Sequence, residues 1–168
     1  MAEPIDRSVP FALIGLSFGG MLATEISTVF HPQHTVLISS VPAKPELPWY
    51  YRFIGTTKIH KLIPVLKPKT VPRFFASFFG VESRDDYLFF LKLLKRTDPR
   101  FTKWAMDAIL KWDRTEIPPG IVRIQADNDK VLPIGNGKID YVIRGGGHFM
   151  IFNRAKEISK ILAEEGIR

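Results

Sequence analysis

The segment Gly15-Leu16-Ser17-Phe18-Gly19-Gly20 constrains this chain more than any other. It matches G-x-S-x-G and stands between a short apolar run and a helix-like stretch. A serine placed there occupies a sharp turn in strained backbone geometry. Glycines at 15 and 19 then omit side chains that would collide with the close-packed strand and helix. The Ser17 hydroxyl is pushed out above the sheet, and the helix N-terminus beneath it favours developing negative charge. Phosphate-binding readings fail, because no Lys-Ser/Thr pair completes a P-loop and position 17 lacks the glycine of G-x-G-x-x-G.

The rest of the chain fits a sheet with helices around it. Phe11-Ala12-Leu13-Ile14 has the form of a fully buried parallel strand. A helix follows over Gly19 to Phe30, with Met21, Leu22, Ile26 and Val29 near helical spacing, and His31-Pro32 ends it. Thr35 to Ile38, Ile121 to Ile124 and Tyr141 to Ile143 read as three more strands, and Asn153 to Glu165 as an amphipathic helix stopped by Gly166. Strands alternating with helices imply an α/β fold with a parallel sheet.

Residues 41–117 break this pattern. Prolines at 42, 45, 48, 64, 68, 72 and 99 divide the stretch into helical pieces: Pro72 to Phe79, Arg84 to Arg96 capped by Ser83, and Pro99 to Trp112 with Asp98 as N-cap. The stretch holds 15 of the 24 Lys/Arg but only 8 of the 17 Asp/Glu, so the whole net charge of +7 resides there, together with 14 of the 20 aromatic residues. It reads as a separate unit. The plain alternative to a binding role is that its aromatics form its own core and its lysines a solvated face. Nucleic-acid binding is not expected, since the lysines scatter over several helix faces without a recognised motif.

A serine hydroxyl needs a base to act as a nucleophile at neutral pH. Of the four histidines, His148 follows the fourth strand behind Gly145-Gly146-Gly147, a flexible loop able to carry an imidazole over the adjacent strand ends. His31 and His34 flank a proline at the far end of the first helix, and His60 lies among lysines in the insert. The imidazole needs a carboxylate to orient it. Two follow the third strand: Asp127, which comes almost directly off it and can form an Asx-turn, and Asp129, a turn further out, which is favoured. The sequence has no cysteine, which removes disulfides and Cys-ligated metals. Neither a metal nor a cofactor is expected. With an acidic N-terminal stretch and no apolar run of membrane-spanning length, the chain reads as soluble and cytoplasmic.

The order Ser, Asp, His, the segments Gly-Leu-Ser-Phe-Gly-Gly (15–20), Asp-Asn-Asp-Lys-Val-Leu-Pro (127–133) and Gly-Gly-Gly-His-Phe (145–149) together resemble the α/β-hydrolase superfamily, in particular its small bacterial esterase-like members. The resemblance runs from about residue 9 to the end. It implies a parallel sheet of about four strands, a core of residues 1–40 and 118–168, and a helical cap or lid at 41–117. It also implies a Ser17–His148–Asp129 triad, the acid lying three residues beyond Ala126, and the Phe18 N–H as an oxyanion donor. Family members carry further strands before the nucleophile strand, and a loop, often His-Gly, with a second oxyanion donor. Only ten residues precede Phe11 in this sequence, so these parts have no counterpart in it. Weak hydrolysis, of activated esters above all, is therefore expected. So is a Phe11–Ile14 strand edge without its usual partner, covered by a second copy of the chain in a homodimer.

The function these observations favour is hydrolysis of carboxylic esters or thioesters through an acyl-enzyme, on a small molecule with an apolar acyl group and an acidic handle. The alternative is a non-catalytic or partial member that acts as a binding module or needs another chain for activity.

Overall fold

The computed structural model describes residues 6, 9–57 and 71–167; His60, Pro64 and Pro68 lie outside them. Strands β1 (Ala12–Leu16), β2 (His34–Ile38), β3 (Ile121–Ala126) and β4 (Tyr141–Ile143) form one parallel sheet in the order β1-β2-β3-β4. Helix α1 (Phe18–Phe30) joins β1 to β2.

Register fixes the two faces of the sheet. Ile14 pairs with Val36 and Leu16 with Ile38, while Val36 pairs with Val122 and Ile38 with Ile124, so these side chains share a face. The C-terminal helices α6 (Met150–Asn153) and α7 (Ala155–Glu164) cover it, and Met150, Ile158 and Ile161 complete a core with Val36, Ile38, Ile124, Ala126 and Ile143. The single amphipathic helix expected from Asn153 onward is thus two helices broken at Arg154, whose side chain pairs with Glu82 at 2.9 Å. Gly166, at φ 78°, ends α7 as expected, with the Ile167 N–H returning to the Leu162 carbonyl at 2.9 Å.

The opposite face receives α1, which approaches through small residues. Gly20, Met21, Ala23 and Thr24 are buried, whereas Leu22 and Val29 of the expected apolar stripe are exposed. Close approach decides the contact face here, because Gly20 lies on Ser40 where a larger residue could not.

Between β2 and β3 come a 3₁₀ turn (Lys44–Glu46) and helices α2 (Trp49–Thr57), α3 (Arg73–Phe78), α4 (Arg84–Arg96) and α5 (Pro99–Lys111). Ser83 and Asp86 form a reciprocal capping box at α4, and Asp98 Oδ1 accepts the Arg100 N–H at 2.8 Å at α5. Helix α2 is not evident from a sequence so rich in proline. It starts directly after Pro48, whose carbonyl accepts the Tyr51 N–H at 3.0 Å. Part of the aromatic content is indeed internal core: Phe75, Phe79, Tyr87 and Phe90 pack with Val71, Ala76 and Val81, and Phe149 from beyond β4 joins them.

Two polar ties hold this stretch to the sheet layer. Arg114 Nε and Nη2 donate to the Glu25 carboxylate at 2.6 and 2.7 Å, and Trp112 Nε1 donates to it at 2.7 Å. The Arg114 bonds hold the Glu25 carboxyl below its ordinary range against the opposing effect of burial. Deeper in, Arg123 Nη2 meets Glu46 Oε2 at 2.7 Å while Nη1 donates to the Lys138 carbonyl at 2.9 Å.

Strand β1 borders the sheet, with Ile14 and Leu16 exposed, which corrects the reading of Phe11–Ile14 as a fully buried strand. Among the described residues no strand pairs with the outer side of β1, and an apolar edge of that kind is a template for association. Light scattering at micromolar concentration is therefore expected to show self-association, and a monodisperse monomer would remove that expectation.

Candidate active site

Ser17 stands between β1 and α1 with φ 52° and ψ −120°, a backbone conformation that few non-glycine residues adopt and that costs of order 1–3 kcal/mol. Its surroundings hold it there. The Ser17 N–H donates to the Ile38 carbonyl at 2.9 Å, and the Ser40 hydroxyl donates to the Ser17 carbonyl at 2.7 Å. A Cβ on Gly15 would lie 2.5 Å from the Gly20 Cα, and one on Gly20 would lie 2.5 Å from the Ser40 Cβ. Gly19 has open space instead, so the close strand–helix approach rests on Gly15 and Gly20, not on Gly19. Phe18 opens α1, where the first N–H groups of a helix have no intrahelical partner.

His148 arrives from beyond β4. Its Nε2 lies 2.9 Å from Ser17 Oγ and its Nδ1 lies 2.8 Å from Asp129 Oδ2. Asp129 is buried, and its Oδ1 accepts the Val131 and Leu132 N–H groups, both at 2.9 Å. Beneath it the Gln125 amide donates to the Leu132 carbonyl and lies 3.4 Å from Asp129 Oδ2. Asp127 points elsewhere: its Oδ1 accepts the Gly145 N–H at 2.7 Å and so straps the turn after β4 to the end of β3. Ser17, His148 and Asp129 are thereby brought together and Asp127 is not. His31, at the left-handed C-terminus of α1, and His34, at the start of β2, belong to the opposite ends of these elements from Ser17.

The glycines before His148 act through packing more than through flexibility. Gly146 and Gly147 are buried, and a Cβ on Gly147 would lie 2.5 Å from the Gly80 Cα. Gly80 itself has φ 81°. Around this backbone contact the Phe149 N–H donates to the Phe79 carbonyl at 2.7 Å, and Asn153 Nδ2 donates to the Gly80 carbonyl at 3.0 Å. The Phe79 ring stands edge-on to the imidazole, with centroids 6.2 Å apart. The α3–α4 connection therefore clamps the His148 loop. Gly147→Ala is expected to lower stability by about 1–3 kcal/mol, since two backbones would have to separate, and to disturb His148 as well. Chemical denaturation checks this, and an unchanged midpoint would contradict it.

Helix α2 grips the carboxylate side. The Tyr50 and Tyr51 hydroxyls donate to the Val131 carbonyl at 2.8 and 3.4 Å. Burial, reinforced by Tyr50 and Asp129, pushes the Tyr51 phenol well above its ordinary range, which keeps it a donor. Next to the nucleophile, the Phe18 ring packs edge-on against Trp104 and Phe101 of α5, at centroid distances of 5.7 and 6.5 Å. Tyr50, Tyr51, Phe79, Gly80, Phe101 and Trp104 are all contributions that the sequence does not single out, because no local motif carries them. For the five aromatic ones the shared signal is the aromatic density of the insert. Among the described residues, no three His, Cys, Asp or Glu side chains gather as a metal site, and no helix is long and apolar enough to cross a membrane.

No curated protein matches this sequence. Several solved structures resemble the fold. One is a bromoperoxidase from Bacillus anthracis, 21% identical with a TM-score of 0.55 over 90% of this chain and 65% of that one. A second is a putative non-heme bromoperoxidase from Mycobacterium tuberculosis H37Rv, 17% identical with a TM-score of 0.65 over 92% and 66%. A third is a meta-cleavage product hydrolase from Pseudomonas fluorescens IP01, 11% identical with a TM-score of 0.62 over 92% and 64%. The chain thus spans just under two thirds of each, and at these identities the likeness speaks for the fold alone. The sequence itself matches the Alpha/beta hydrolase family over residues 2–161. With that match across nearly its whole length, and with the four-stranded parallel sheet that carries Ser17 between strand and helix, the chain belongs to the alpha/beta hydrolase family.

Proposed function

We propose that the protein is a serine hydrolase that cleaves carboxylic esters or thioesters through an acyl-enzyme. The observation that carries this reading is the unbroken relay from Ser17 Oγ through both nitrogens of His148 to Asp129 Oδ2, at 2.9 and 2.8 Å. Ser17 Oγ attacks the acyl carbon as its proton passes to His148 Nε2. Asp129 accepts from Nδ1–H, which fixes the tautomer that leaves Nε2 free as the base and stabilises the imidazolium that forms. The Phe18 N–H, at the N-terminus of α1, donates to the oxyanion of the tetrahedral intermediate. His148 then returns its proton to the departing alkoxide or thiolate, and water releases the acyl group by the same route. No cofactor enters this sequence of steps.

A fluorophosphonate probe tests the reading on the whole chain. Intact-mass analysis should show one phosphonate on the folded protein, located at Ser17 and absent from Ser17→Ala. A folded protein that remains unmodified would instead favour a non-catalytic binding module.

A further inference from the structure

Exposed apolar residues scattered singly are ordinary, but those of α5 are not scattered. Phe101 is 52% and Trp104 55% exposed, their ring centroids lie 5.7 Å apart, and both rings contact Phe18. Another face of α5 turns inward, with Ala105 buried and Ile109 packed on the core that contains Met21 and Leu132. Three rings therefore form one continuous aromatic shelf with its outer part open. It begins at the residue joined to Ser17, whose Cα is about 3.8 Å from that of Phe18.

The chemistry of the relay says which part of a substrate meets this shelf. The leaving group must stand near His148 Nε2 to collect its proton, and the ring beside that imidazole is Phe79. A leaving group on that side leaves the acyl group the side away from the imidazole, where the aromatic surface starts at Phe18, the residue that follows Ser17. The shelf also favours one kind of acyl group. Phe18 meets Phe101 and Trp104 at interplanar angles of 66° and 82°, so the shelf offers ring edges and faces together. A further ring gains edge-to-face contacts from such a surface that an alkyl chain does not.

Resting on the hydrolase reading, we infer that Phe18, Phe101 and Trp104 form an acyl subsite for an aromatic ring, and that the preferred substrates are esters or thioesters of arylalkanoic or aryl carboxylic acids. Phe101 and Trp104 set specificity and take no part in the proton transfers.

The test compares covalent modification of Ser17 by phenylmethanesulfonyl fluoride and by methanesulfonyl fluoride, followed by intact mass. Both reagents react by attack of Ser17 Oγ on sulfur with loss of fluoride, and only the first carries a ring. The readout is the ratio of their second-order rate constants. In Trp104→Ala and Phe101→Ala this ratio should fall roughly tenfold below wild type, the size of one lost ring contact. It should not fall in Phe74→Ala, which removes a ring that is 77% exposed and outside the shelf. Since Phe101 and Trp104 are half exposed, their loss leaves no core cavity, and circular dichroism checks that the variants are folded. A ratio indifferent to Trp104 and Phe101 would overturn the subsite while leaving Ser17 a nucleophile. Failure of both reagents to modify Ser17 would overturn the hydrolase reading and the subsite with it.

Discussion

Asp129→Asn is expected to lower kcat for p-nitrophenyl acetate by about 10⁴-fold, on the order of 5 kcal/mol of transition-state stabilisation. The size of the loss follows from proton placement. Asp129 Oδ1 is held by the Val131 and Leu132 N–H groups at 2.9 Å, which leaves Oδ2 for His148 Nδ1 at 2.8 Å. An Asn side chain that keeps its oxygen on those two backbone donors must turn its NH₂ toward Nδ1. That forces the imidazole proton onto Nε2, where it faces Ser17 Oγ and cannot accept the hydroxyl proton. Asp127→Asn should cost far less, because Asp127 bonds the Gly145 N–H and not the imidazole. Steady-state kinetics of the two variants side by side decide the matter. Equal losses, or a larger loss at Asp127, would reassign the acid.

Glu46→Ala is expected to destabilise the fold by about 3–5 kcal/mol, because it leaves Arg123 as a buried cation without its partner. The side chains of Arg123 and Glu46 are only 8% and 13% exposed, and their contact is 2.7 Å. The Lys138 carbonyl on Nη1 does not neutralise the charge, and the nearby Asp140 carboxylate, which accepts the Arg123 backbone N–H, is itself paired with Lys138 at 2.7 Å. For a chain of this length the loss corresponds to a fall in Tm of roughly 10 °C, measurable by circular dichroism. Replacing both members together, as Glu46→Leu with Arg123→Met, should recover much of it, since no charge is then stranded. A Glu46→Ala Tm within a degree or two of wild type would show that the pair is solvated in solution.

What the sequence made legible was what short-range pattern encodes. The strand–Ser–helix turn, the four strands, the caps at Ser83 and Asp98 and the His148 loop each depend on residues within a few positions of one another. They lie where the motifs put them, with boundaries moved by one or two residues at β1, β2 and β3. Position on the loop favoured Asp129 over Asp127; in the structure Asp129 Oδ2 lies 2.8 Å from His148 Nδ1, and Asp127 Oδ1 accepts the Gly145 N–H instead. What escaped were contacts between distant segments: Phe79 and Gly80 on the His148 loop, Tyr50 and Tyr51 on Val131, and Trp104 on Phe18. Each pairs residues 67 to 86 positions apart, at a place fixed by packing and not by any motif. The same limit explains Gly19, Leu22 and Val29. Periodicity or motif membership suggested that they were buried or crowded, but which face α1 presents depends on the glycine and serine it meets across the sheet.

Whether Ser17 is a nucleophile activated by His148 and Asp129 is decided by pre-steady-state release of p-nitrophenol from p-nitrophenyl acetate with simultaneous mass analysis of the chain. The expected result is a burst that approaches one p-nitrophenol per chain and an acetyl adduct on Ser17. Both should be abolished in Ser17→Ala and slowed several hundredfold or more in His148→Ala. A chain that releases p-nitrophenol without an acetyl group on Ser17, or a burst that survives Ser17→Ala, would contradict it.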